Sequence, residues 1–260
     1  MDRLAEGIDL VASLVRTVHE EEIRYPAAAL AYYAFVSFVP LLLLVFAVVG
    51  ERFALDLSRT VPRLLTPEVR RLVDRSLTTA SGRTGAGALG VLVLVWSGAN
   101  VVGDVRTVVA RVEGSVGQSL RARVRDATAV LGGFGMAILA IVTISTLFEF
   151  PATDPLSGSL GFLVLWTALA VAFLPLYRIP SERVTSTRGA LPGAIVASLG
   201  WTVLHTAVRF YALHAALYAV YGALSGVIIL LTSLYLAAAV VLTGIVLNAM
   251  VAAESSVPPT

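Results

Sequence analysis

Six long apolar runs divide this chain, and its polar and charged residues collect between them. The runs fall at about 27–50, 85–102, 127–148, 157–178, 189–212 and 222–250. Apart from Arg178, which closes the fourth, and Arg209, late in the fifth, they carry no formal charge. Each is long enough to cross a hydrocarbon slab about 30 Å thick, which takes roughly 17–25 residues of helix. Backbone groups inside lipid must be satisfied within the segment, so the runs predict helices and not open strands. The fold class expected is all-α: a six-helix transmembrane bundle, one membrane domain over 1–260.

Two of the intervening stretches show a different period. In 1–24, Leu4, Ile8, Val11, Leu14, Val15 and Val18 recur at helical spacing against Asp2, Glu6, Asp9, Arg16 and Glu20. That pattern suits an amphipathic helix lying along the membrane surface. The interleaved acids are wrong for a signal peptide. In the first loop a second interfacial helix is expected near 61–80. Thr66 can cap it, Pro67 fits its first position, and Glu68 suits the positive end of its dipole. Its arginines, Arg63, Arg70, Arg71 and Arg75, leave two readings open: a solvated helix resting on its own bundle, or one that gathers anionic headgroups.

Charge then orients the bundle. With a cytoplasmic N-terminus, eleven arginines fall on the inside: Arg3, Arg16 and Arg24; Arg106, Arg111, Arg121, Arg123 and Arg125; Arg178, Arg183 and Arg188. Seven lie outside, all in the first loop, and the third and fifth loops hold none. The asymmetry places both termini in the cytoplasm.

Composition agrees with a bilayer as solvent. Hydrophobic residues make up 57% and charged ones 14%, against about 25% in soluble domains. The absence of cysteine excludes disulfides and thiolate catalysis. His19, His205 and His214 are scattered, and no H-E-x-x-H, P-loop or G-x-S-x-G run occurs. No enzyme, cofactor or metal site is expected, and no arginine-rich soluble surface suits nucleic acid.

Ionisable groups inside a bilayer are costly, so each is a functional suspect. His205 and Arg209 are four residues apart, on one helical face, with Trp201 a turn earlier. Glu149, after the third run, is expected on the same side as Arg209. Together they form either a structural pair or an anion or proton site. In the first run Tyr32, Tyr33, Ser37 and Pro40 cluster at mid-depth, and Pro40 removes a helical hydrogen bond and predicts a kink. Such a break serves either packing or a substrate site, with Tyr32 and Ser37 as candidate ligands. Asn100 and Asn248 are expected to hydrogen-bond between helices. Small residues at Gly132, Gly133 and Gly135, Gly189-x-x-x-Gly193 and Gly222-x-x-x-Gly226 allow close helix approach, and leave a homo-oligomer open.

Several segments resemble a known family in order and spacing. They are Pro26–Pro40 (PAAALAYYAFVSFVP), Leu94–Asn100 (LVWSGAN), Leu174–Pro180 (LPLYRIP) with Arg188–Gly193 (RGALPG), Tyr221–Leu231 and Leu242–Asn248 (LTGIVLN). The chain is similar over about 20–250 to the YihY/virulence factor BrkB family. It departs at Val246, where that family usually has glutamate, and at Ser233, where it often has tryptophan. The resemblance implies a six-span protein of the cytoplasmic membrane, tied to envelope integrity and to export of lipid-linked material. Some members have carried a ribonuclease label, for which this chain has no residues. The function expected is transport of a lipid or amphipathic anion, with a non-transporting, membrane-organising role as the alternative. Membrane lipids are the expected partners.

Overall fold

The computed structural model describes residues 12–49, 80–114, 119–147, 155–214 and 223–255. The expected first-loop helix near 61–80, Glu149 and Gly222 lie outside these residues, as does the first part of the N-terminal segment. Among the described residues the regular structure is all helix, joined by turns and with no strand. Helix α1 covers 12–20, followed by α2 (Arg24–Val49), α3 (Ala80–Glu113), α4 (Leu120–Leu147), α5 (Pro155–Arg178), α6 (Thr187–His214) and α7 (Ala223–Ser255). Five are long and apolar enough to span a membrane: Ala88–Glu113, Leu120–Ser145, Ser159–Arg178, Thr187–Tyr211 and Gly226–Ala253.

Local chemistry explains where the helices stop. Helix α1 ends in a Schellman turn. The Glu22 amide donates to the His19 carbonyl at 3.2 Å and the Ile23 amide to the Val18 carbonyl at 3.3 Å. Glu22 takes the left-handed position at φ +50°, and Ile23 drops into the core beside Val18. Helix α3 runs well past the uncharged stretch that ends at 102, because Val105, Val108 and Val109 continue its buried stripe. It stops at Gly114, with φ +68°.

The helices alternate in direction. The end of α3 meets the start of α2, where Arg111 donates to the Glu21 carbonyl at 3.0 Å. The start of α4 meets the end of α5 through Arg125 and the Ile179 carbonyl at 3.0 Å. The start of α6 meets the end of α7 through Gly193 and Asn248. All these junctions share one end of the bundle, the arginine-rich end. The fully buried side chains, among them Val105, Val130, Phe173, Leu176, Val241 and Leu242, concentrate towards it. Outward faces carry exposed Leu89, Leu92, Val95, Leu139, Val142 and Val203, the surface of a protein solvated by lipid.

Where α5, α6 and α7 meet, backbones approach closely. A Cβ at Gly193 would strike the Gly244 carbonyl and Asn248, and one at Gly244 would come within 2.5 Å of the Tyr177 hydroxyl. Tyr177 donates to the Val241 carbonyl at 2.9 Å, Trp201 to the Ala237 carbonyl at 2.9 Å, and Trp166 to the Ile195 carbonyl at 3.3 Å. Phe173 meets the Trp201 ring edge to face at 5.0 Å, and Phe134 tilts against Trp201 at 6.0 Å. Of the small residues singled out by pattern, Gly133 is closely packed, since a Cβ there would come within 3.1 Å of the Ala172 carbonyl, whereas Gly132 and Gly135 face open space.

Candidate functional site

A cavity of about 470 Å³ lies inside the bundle, walled by α2, α3, α4, α6 and α7. Its size falls within the roughly 300–1,000 Å³ of small-molecule sites. The walls are mostly apolar, with Leu30, Leu94, Phe134 and Trp201 among them, and the polar groups on them are few: Ser37, Ser97, His205 and Ser233. Ser97 is 1% exposed, and its hydroxyl has no hydrogen-bond partner among the described residues. A buried hydroxyl left in that state costs about 1–3 kcal/mol. His205 Nε2 lies 3.1 Å from Ser145 Oγ, which holds the ring between α6 and α4.

The chamber brings together two of the residues picked out by pattern, Ser37 and His205. Ser37 also donates to the Tyr33 carbonyl of its own helix at 2.7 Å. Tyr32 points elsewhere: it is 55% exposed and meets the Tyr33 ring edge to face. Helix α2 passes through Pro40 without interruption. Arg209 sits half-buried one turn beyond His205. Asn100 donates to the Trp96 carbonyl of its own helix at 2.7 Å. Asn248, fully buried, accepts from the Gly193 amide at 2.7 Å and donates to the Ala190 carbonyl at 3.2 Å, crossing from α7 to α6. Val246 is completely buried in apolar surroundings.

Sequence reasoning missed three residues. Ser97 was indistinguishable from any serine in an apolar run. Asp126 is 0% exposed, with Arg106 Nε 3.4 Å from one carboxylate oxygen and Arg125 3.2 Å from the other. Its signal was the helical stripe Asp126, Val130, Gly133 and Ala137, the buried face of α4. Glu113, at the end of α3, accepts from the Ser181 hydroxyl and from the Glu182 amide at 2.8 Å. Arg183 donates to the Glu113 carbonyl at 2.8 Å, so this corner ties α3 to the α5–α6 connection.

The sequence profile of the virulence factor BrkB family matches residues 14–259. A ribonuclease-like protein of Bacillus subtilis (strain 168), YfkH, is 32% identical over 117 residues, covering 41% of this chain and 42% of the relative. An uncharacterised protein of Dickeya dadantii (strain 3937) is 31% identical over 87 residues, covering 30% of this chain and 26% of the relative. The chain thus aligns with less than half the length of either. No solved structure matches it significantly.

Proposed function

The chain belongs to the virulence factor BrkB family, and on that premise we propose that it moves a lipid or amphipathic anion across the cytoplasmic membrane, in support of envelope integrity. One observation carries this reading: the apolar chamber among the helices holds a buried hydroxyl, that of Ser97, with no partner among the described residues, beside a few other polar groups. An apolar cavity with sparse polar anchors fits an amphiphile better than a hydrated ion. In this reading Ser37, Ser97 and His205 contact the substrate. Arg209, with Glu149, serves the exit side, and Tyr32 meets lipid at the rim. The 26-residue helix α2 is the sixth span. The arginine-rich end faces the cytoplasm, so both termini do as well.

A rival reading has its own support. Asn248, Tyr177 and Trp201 spend their polar groups on neighbouring backbones, as expected of a rigid membrane-organising protein. We propose no catalytic role. Among the described residues no three of His, Asp and Glu gather as a metal site, and the word ribonuclease belongs to the relative's name.

Proteoliposomes carrying a fluorescent anionic phospholipid separate the two readings. Transport predicts that the protein exposes inner-leaflet probe to an outside quencher faster than protein-free vesicles do. Ser97→Ala removes the hydroxyl and adds no bulk at this buried position. It should slow exchange roughly fivefold, the effect of one hydrogen bond of about 1 kcal/mol. No movement of any anionic lipid or solute tested would leave the organising role standing.

A further inference from the structure

A second, larger cavity lies on the side of the bundle. Helices α3 and α4 follow each other in the chain but pack only weakly, and a groove of about 930 Å³ runs between them. Its length is apolar, with Val91, Val95, Val102 and Leu131 on its walls, and its one charged end carries Arg106 and Arg123. Small residues keep it open: a Cβ at Gly103 would meet nothing within 4 Å, and one at Gly98 only the tip of Leu131, at 3.5 Å. From Val91 to Arg106 the groove follows about 22 Å of helix at 1.5 Å rise per residue. That exceeds half of a hydrocarbon slab about 30 Å thick, the depth of one leaflet.

The charged end is unbalanced. Asp126 is shared by Arg106 and Arg125, and no carboxylate pairs with Arg123 among the described residues. Helix α4 opens with Arg121, Arg123 and Arg125 and has no acid in its first turn. Its macrodipole already places partial positive charge there, which disfavours cations. An anion at this point relieves both sources of repulsion.

We propose that the α3–α4 groove binds one anionic phospholipid. Its phosphate sits between Arg106 and Arg123, and an acyl chain lies along α3 towards Gly98. Gly98, Leu94 and Leu131 line both the groove and the inner chamber, so the tail ends at the wall that separates them. The site stands whether or not anything is transported, because its occupancy is read by binding alone.

The test uses the purified full-length chain, with retention of phosphatidylglycerol and phosphatidylcholine measured by native mass spectrometry through a detergent titration. Phosphatidylglycerol should be held at least several-fold more tightly. Arg123→Gln should weaken it about fivefold, the effect of one arginine beside an anionic headgroup, and leave phosphatidylcholine unchanged. Gly103→Leu, which fills open space and leaves the core intact, should reduce retention of both. Arg178→Gln, an exposed arginine of the same end bonded to Thr187, should change neither lipid as much as twofold. Equal retention of the two lipids, equal losses in Arg123→Gln and Arg178→Gln, or no effect of Gly103→Leu would each overturn the site. So would cross-linking of Val95→Cys to the same position in a second copy, since the groove would then be a protein interface.

Discussion

Single residues in this chain are legible when their chemistry conflicts with the solvent around them. His205 and Asn248 stood out because a bilayer penalises unpaired polar groups, and the structure gives each a partner on another helix. Ser97 gave no such signal. A helix that is apolar on every side does not announce which face turns inward, so a serine on α3 reads alike towards lipid and towards the chamber. Asn100 shows the same limit from the other side, since its amide is satisfied within its own helix. Glu22 yields a prediction at this scale. A left-handed backbone costs a residue with a side chain roughly 1–2 kcal/mol, and glycine escapes that cost while losing about 0.5–1 kcal/mol in chain entropy. Its ion pair with Arg24 spans 4.0 Å and is exposed, so it contributes little. Glu22→Gly should therefore stabilise the fold by about 0.5–1 kcal/mol, seen as a higher melting temperature in detergent. An unchanged or lower value would show that the turn is not limiting.

At the level of helices, the existence of each described span was plain, because lipid enforces length and hydrophobicity together. Their ends were not. Past the membrane, α3 continues because Val105, Val108 and Val109 still find a core to bury in, and tertiary burial leaves no mark in a count of charges. Glycine pairing was half legible. The pattern found Gly193 and Gly133, but it gave equal weight to Gly132 and Gly135, which touch nothing, and passed over Gly244 and Gly200. The motif says that an approach is allowed, and the neighbour decides whether it happens. Gly193→Ala should thus push α6 off α7 and cost about 1–3 kcal/mol, as overpacking does. Gly132→Ala, where the added methyl meets nothing, should stabilise the helix by about 0.5–1 kcal/mol. Melting of the two variants side by side checks this, and equal melting temperatures would remove the close contact from the account of stability.

For the whole molecule, the alternation of helix directions puts both ends of the described chain on one side, together with Arg111, Arg125 and Arg183. If that side is cytoplasmic, a cysteine at Gln118 should be shielded in intact cells from a membrane-impermeant maleimide, and one at Arg75 should react. The chain has no cysteine of its own, so the labelling is unambiguous, and the reverse pattern would invert the topology. Arginine counts set an expected orientation, which the labelling tests, whereas nothing in the sequence marked the chamber and groove, which exist only where five helices fail to meet. The cross-helix ties of backbone and arginine gather at this same end. A rearrangement that preserves them is a lever stroke, with its fulcrum at the arginine-rich end. Helix α6, at 28 residues, is about 42 Å long, so a tilt of about five degrees at the fulcrum carries its far end some ~4 Å. The opposite face travels furthest while the arginines hold still.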